Sequence, residues 1–288
     1  MVNIETPDYL NTIKNSMNGI AKGILRPVAR KYDENEHEYP KELDMFRGMP
    51  IMSRPKKKKD GGEKKPDEKP KPKRGANLSQ VVTIEEMCWG DAGLLLSIPN
   101  AGLGNAAIAA VATDEQMEKY GKKWAAMAIT EPGSGSDSGA ITTTAKLEGD
   151  EWVLNGEKIF VTCAERCDVV VVWATIDKKA GKSGIKSFIV EKGTPGFKLE
   201  KLEHKLGIRA SDTGTFVLDN CRIPKTNLLG SAEVKTETEG FKGVMKTFDN
   251  TRPLVASMAT GIARAAIDFT REKLQENGFV LDYSKNLN

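Results

Sequence analysis

A chain of 288 residues with 39% hydrophobic and 29% charged residues has an ordinary globular composition and the length for two or three domains. No apolar run approaches the ~20 residues of a membrane-spanning helix. The N-terminal MVNIETPDYLNTIKN carries acids where a transit peptide avoids them, so the composition reads as a soluble, cytoplasmic protein without membrane association. The net charge of +3 has a single source: nine lysines and two arginines face four acids between Arg54 and Arg74, a local charge of +7 that leaves −4 for the rest.

That segment, RPKKKKDGGEKKPDEKPKPKR, offers nothing to bury against the entropy of ordering it and is expected to be a disordered basic insertion over 54–76. No aromatic residue is interleaved for base stacking, which argues against nucleic acid as a partner. Cys88, Cys163, Cys167 and Cys221 fit no zinc spacing, and the chain has only two histidines, His37 and His204; the thiols read as reduced and structural, with no metal site expected.

Residues 6–31 carry Ile13, Met17, Ile20, Ile24 and Val28 at steps of three or four, an apolar helical stripe. Leu78 to Gly90, with Val81, Val82, Ile84 and Met87, predicts a second helix, and the Ala-rich then charged residues 104–120 predict another pair. The period then changes. Lys123–Thr130 is a short apolar strand, and residues 141–162 alternate on a two-residue period, with turns predicted at 148–151 and at Asn155-Gly156. Residues 168–177, 185–192, 197–202 and 213–224 add four strands, together an antiparallel barrel or sandwich. From Glu237 a helical period returns, with Val244, Phe248, Val255, Met258, Ile262, Ala266, Phe269 and Leu274 as its stripe and Gly278 as its C-cap. A helix with such a stripe must pack against the N-terminal helices or a surface outside the chain.

Between the first two strands lies AMAITEPGSGSDSGA (126–140), an apolar run opening into glycines and hydroxyls. Its free backbone N–H groups could hold a phosphate or a flavin edge. It matches neither the Walker loop nor the dinucleotide fingerprint, so on its own it reads equally as a ligand loop or a β-turn.

The order AITEPGSGSD, NGEKIFVT, GIRASDTGTFVLDNCRIPKTNLLG and TFDNTRPLVASMATGIARAAIDF resembles the acyl-CoA dehydrogenases, and RKYDENEHEYPKEL, EEMCWGDAGLLLSI and TDEQMEKYG resemble their N-terminal domain. The resemblance implies an α+β chain: an N-terminal α-helical domain (1–122), a β-barrel or sandwich domain binding FAD and acyl-CoA (123–232), and the first helix of an incomplete C-terminal α-helical domain (233–288). It assigns Met127, Ala128, Ile129 and Thr130 to the flavin ring, and Gly135 and Ser136 to the FAD pyrophosphate and the CoA thioester. Phe160, Val161 and Thr162 take the place where an aromatic residue shields the flavin and a threonine bonds its N5. Phe160 stands where that aromatic is usually Trp. Asp249, Thr251 and Arg252 border the acyl-CoA channel, with Arg252 as an anionic anchor or an ordinary helix salt bridge.

The implied chemistry is removal of hydrogens from Cα and Cβ of a thioester, with an electron-transferring flavoprotein as electron partner and a homo- or hetero-oligomer formed through the C-terminal helix. The family's catalytic glutamate lies in a later helical region or immediately before the arginine of the DNTRP-like motif. That position is Thr251 here, so no catalytic base is assigned; Glu131 and Asp249 are the acids nearby. The chain reads as a shortened enzyme, as one subunit of a heteromeric dehydrogenase, or as a non-catalytic FAD- and acyl-CoA-binding protein.

Overall fold

The apolar stripe of residues 6–31 folds as predicted, into one nearly continuous helical rod. Its parts are α1 (Asp8–Ile20), a π-helical turn (Ala21–Leu25) and α2 (Arg26–Glu34). The computed structural model describes residues 7–47, 76–100, 102–234 and 239–279. The basic insertion predicted over 54–76 lies outside them, except for its last residue: Ala76 opens α3 (Ala76–Gly90), so the helix begins inside the predicted boundary. A short α4 (Ala92–Leu96), which the sequence period did not signal, is capped by Asp91, whose side chain accepts from the Leu94 N–H at 2.7 Å. Next come α5 (Leu103–Val111) and α6 (Asp114–Tyr120), the latter opened by a Thr113/Gln116 capping box. Met17, Ile20, Ile24 and Val28 pack with Ile84, Met87 and Leu94 into one helical core.

Eight strands follow among the described residues: β1 (Ala125–Ala128), β2 (Thr144–Glu148), β3 (Glu151–Thr162), β4 (Val169–Thr175), β5 (Ile185–Glu191), β6 (Phe197–Leu202), β7 (Thr213–Pro224) and β8 (Leu228–Leu229). They form a sheet in the order β6-β7-β3-β2-β4-β5-β8, with β1 beside β4; the path does not close on itself. The architecture is mixed α+β with a mostly antiparallel sheet, as expected, and it contains two parallel pairings, β1–β4 and β2–β4. Trp152 meets Phe188 edge-on and Phe197 stacks on Phe216 in the strand core.

Two expectations are corrected. Asn155-Gly156 is not a turn but a bulge inside the twelve-residue β3, where the register to β7 shifts between Leu154 and Gly156. Gly156 has φ +150, and a Cβ there would lie 2.4 Å from Thr143 Oγ1. Asn155 Oδ1 instead accepts the Asn220 N–H of β7 at 2.8 Å, which fixes the bulge to its neighbour.

The second correction concerns the last helix, α7 (Glu239–Glu276), which lies against α3. Its buried face is the small-residue one: Thr251, Leu254, Ser257, Gly261 and Ala265. Val255, Ile262, Ala266 and Phe269 of the predicted stripe are exposed, while Met258 packs against the helical core. Close approach decides this, because a Cβ on Gly261 would lie 2.3 Å from the Glu85 carbonyl oxygen. Arg264 binds both Glu85 and Glu86 across the same contact. Gly278, with φ +81, follows the helix as predicted. No helix among the described residues is long and apolar enough to cross a membrane.

Candidate functional site

The GSGS loop leaves β1 and turns back on itself through paired backbone bonds between Glu131 and Ser134. Ser134 Oγ donates to the Asp137 carbonyl at 2.5 Å, and Asp137 Oδ1 accepts the Gly139 N–H at 3.2 Å, so the turn is held from inside. Gly133, Gly135, Ser136 and Asp137 are exposed. A Cβ on Gly133 would meet nothing within 4 Å, and one on Gly135 only the Thr130 methyl at 3.9 Å. The loop therefore offers bare backbone to solvent.

Thr130 is joined to β3: its carbonyl accepts the Ile159 N–H at 2.9 Å. This bond brings the predicted residues Met127–Thr130 beside Phe160, Val161 and Thr162. At that point β3 bulges again, the register to β7 shifting between Lys158 and Val161. Phe160 has φ +57 and is 61% exposed, whereas Val161 is buried. A bulky residue in the left-handed region costs of order 1–3 kcal/mol unless its surroundings hold it there, and such residues cluster at functional sites. The bulge turns a large apolar ring outward, one residue beyond the bond to Thr130, the strand end that leads into the open glycine loop.

Beneath this edge runs an ion pair that the sequence reading passed over. Lys158 Nζ is 2.7 Å from Glu131 Oε1 and also donates to the Ile129 carbonyl at 3.1 Å; both side chains are buried. Glu131 further accepts from the Thr142 N–H and hydroxyl and from the Thr143 N–H. Burial pushes the Glu131 carboxyl up, but its donors, Lys158 first, outweigh burial and hold it at about 2. Burial dominates at the ammonium, which has only two acceptors, and Lys158 falls to about 8. With its oxygens taken by four donors, Glu131 is a structural anchor rather than a free proton acceptor. No local signal in the sequence marks Lys158, because its partner Glu131 lies 27 residues away in another motif.

Asn105, also unmarked in the sequence reading, fixes the other end of β1. Its Nδ2 donates to the Lys123 carbonyl at 2.7 Å and its Oδ1 accepts the Ala125 N–H at 3.0 Å. Gly104 beside it allows α5 to touch the strand, since a Cβ would lie 2.2 Å from the Ala126 carbonyl oxygen.

Asp249, Thr251 and Arg252 are on α7. Thr251 is buried at 9% exposure, while Asp249 and Arg252 are exposed and 3.6 Å apart, one helical turn from each other. Arg252 thus makes a helix ion pair of the kind anticipated as its plainer reading. Solvent screens such a pair, and it contributes little to stability.

Residues 126–221, which contain the loop, both bulges and the buried ion pair, match the acyl-CoA dehydrogenase middle-domain family. The chain is 35% identical over 272 residues to the short-chain specific acyl-CoA dehydrogenase of Clostridium acetobutylicum, covering 92% of this chain and 68% of that protein. It is 38% identical over 221 residues to a subunit of the caffeyl-CoA reductase–Etf complex of Acetobacterium woodii, covering 73% and 57% respectively. Among solved structures, butyryl-CoA dehydrogenase from Megasphaera elsdenii superposes with a TM-score of 0.82 at 30% identity, over 99% of this chain and 73% of that one. The chain thus spans between about half and three quarters of the length of these relatives. Likeness that runs through the helices as well as the strands, at these identities, makes this chain a member of the acyl-CoA dehydrogenase family.

Proposed function

We propose that this chain takes part in FAD-dependent α,β-dehydrogenation of an acyl-CoA thioester, in the cytoplasmic breakdown of fatty acids or related acyl groups. The observation that carries the proposal is Phe160: an aromatic ring, 61% exposed at φ +57, one residue beyond the bond to Thr130, from which the open glycine loop departs. These residues suit a flat, phosphate-bearing cofactor. The backbone of Met127, Ala128, Ile129 and Thr130, with the Thr130 hydroxyl, would meet the flavin ring; Phe160 would cover its face, with Val161 and Thr162 at its edge. Gly135 and Ser136 would approach the pyrophosphate, Ser136 reaching the thioester end of CoA as well. Asp249, Thr251 and Arg252 would line the acyl-CoA channel. When bound, the flavin supplies the two-electron acceptor for hydride from the β carbon.

The protein's own contribution is placement and exclusion of water. The Lys158–Glu131 pair fixes the height of Ile129 and Thr130 against β3, and Phe160 shields the reacting face from solvent. Neither nearby acid is assigned to the α proton. Glu131 is saturated by its donors, and Asp249 faces Arg252 on an exposed helix surface. Those occupied oxygens favour a second reading, in which this chain by itself binds FAD and acyl-CoA without turnover and a partner chain completes the site.

An electron-transferring flavoprotein is the proposed electron partner, supported by the relative that belongs to an Etf complex. The proposed homo- or hetero-oligomer contact is α7, whose outward face carries Val255, Ile262 and Phe269. The test is flavin absorption after reconstitution with FAD, followed by anaerobic butyryl-CoA, with and without a co-expressed related chain bearing a glutamate base. Bleaching of the flavin band in the chain alone establishes dehydrogenation by this chain; a flavin bound in both preparations but bleached only with the related chain establishes the second reading; no flavin in either rejects both.

A further inference from the structure

The chain's two histidines are 167 positions apart in sequence, yet their rings lie 5.4 Å apart between centroids. His37 is on the turn after α2 and His204 on the loop between β6 and β7. Glu36 joins them: its Oε2 is 2.9 Å from His204 Nδ1, its Oε1 accepts the Lys205 N–H at 2.8 Å, and its side chain is only 7% exposed. One ligand atom from each of the three residues lies within 4.8 Å of the others. Both ring nitrogens of His37 are buried and neither has a hydrogen-bond partner in the protein, an arrangement that is unfavourable unless something else satisfies the ring. The backbone of His37 is held in the left-handed region at φ +71, which fixes the direction of its side chain. Arg166 holds the turn in place, its NH2 group donating to the Glu38 carbonyl at 3.0 Å and the His37 carbonyl at 3.4 Å. Arg166 is anchored in turn by its 3.1 Å ion pair with the buried Asp212.

We propose that Glu36, His37 and His204 bind a divalent transition-metal ion of the zinc type, joining the turn after α2 to the β6–β7 loop. Two imidazoles and one carboxylate are a donor set suited to zinc, with a fourth position open to water. Tetrahedral ligation at ~2.0–2.1 Å sets ligand atoms roughly 3.4 Å apart, so the present spread of up to 4.8 Å closes by up to about 1.4 Å. His204, with its side chain 87% exposed, has the freedom to make that movement. Arg209 is the competing cation: its NH2 group stands 3.6 Å from the same Glu36 oxygen, beyond hydrogen-bond range. The ion and the Arg209 guanidinium therefore oppose one another for Glu36.

The test is calorimetric titration of the chelator-treated full chain with zinc sulfate, repeated on His37→Ala, His204→Ala, their double variant and Arg209→Gln. The expected result is saturable binding of one equivalent in the micromolar range. Each single histidine variant should weaken it at least tenfold, the usual scale for disturbing a metal site, and Arg209→Gln should tighten it. Because His204 is exposed, its substitution leaves the fold intact, which equal circular dichroism and melting curves verify. No saturable binding below millimolar zinc overturns the proposal. So does binding that survives in the double variant, or binding that responds to His37→Ala but not to His204→Ala. None of these readouts depends on flavin or thioester binding.

Discussion

Lys158 and Glu131 form a buried ion pair of 2.7 Å, and the same ammonium holds the Ile129 carbonyl. Two charges withdrawn from water are stabilising only while both are present and fully bonded. Lys158→Met leaves the Glu131 carboxylate buried without its cation, so its expected cost is about 3–5 kcal/mol. The Lys158→Met/Glu131→Gln double variant removes both charges and is expected to lose clearly less than the two single losses combined. Urea denaturation of the four proteins, read as a double-mutant cycle, measures that coupling; additive losses would show that the pair contributes nothing as a pair.

The same pair gives an acid limb to stability. The Glu131 carboxyl lies at about 2 in the folded chain against an ordinary value of 4.5. A lowered folded value means that the unfolded chain binds the proton more readily, so the contribution is complete above pH 4.5 and is lost as pH falls toward 2. A shift of this size corresponds to about 3 kcal/mol. Stability measured from neutral pH down to pH ~3 should fall more steeply in the wild type than in Glu131→Gln, whose neutral amide has no proton to gain. Parallel curves would remove Glu131 from the account.

Gly104 allows α5 to lie directly on the strand that leads into the loop. A methyl group there would come within 2.2 Å of the Ala126 carbonyl oxygen and 2.4 Å of the Ala125 carbonyl oxygen, both backbone atoms that no side-chain rotation can move. Gly104→Ala is therefore expected to destabilise the chain by about 1–3 kcal/mol, outweighing the gain in helix propensity. Thermal melting checks this, and a variant at least as stable as wild type would show that α5 can slide freely on β1.

Strands and helices were legible in the sequence wherever an unbroken apolar run or a local period marked them, as in the fully buried β4 and the α1–α2 rod. The misreadings share a different cause. Asn155-Gly156 has the composition of a tight turn, but Gly156 at φ +150 serves a bulge, and the deciding contact is with Thr143 across the sheet. Lys158 lies between two bulges in an alternating strand, where a charged residue reads as outward, and its inward direction follows from the shifted register. On α7 the larger apolar residues suggested the buried face. The helix instead presents Gly261 and Ala265 because contact with the α3 backbone leaves no room for more. The glycine loop was readable as a candidate site, while the Lys158–Glu131 support beneath it joins motifs 27 residues apart and left no local trace.

Phe160 sets folding stability against ligand binding, and the two can be measured separately. At φ +57 a phenylalanine occupies a conformation that glycine adopts without a steric penalty. Its ring is 61% exposed and so gains little from burial in the free chain. Phe160→Gly should therefore leave folding stability unchanged or raise it by about 1 kcal/mol, the scale of the relieved backbone strain. FAD affinity should move the other way. Loss of the ring removes the apolar face against which a flavin would stack, and a loss of about 1–2 kcal/mol corresponds to at least fivefold weaker binding. Phe160→Trp keeps the face and should retain affinity while keeping the strain. Urea denaturation followed by circular dichroism gives the first quantity, and quenching of flavin fluorescence gives the second. If FAD binds the glycine variant as tightly as the wild type, the bulge that turns Phe160 outward serves some other purpose and the proposed cofactor face is wrong.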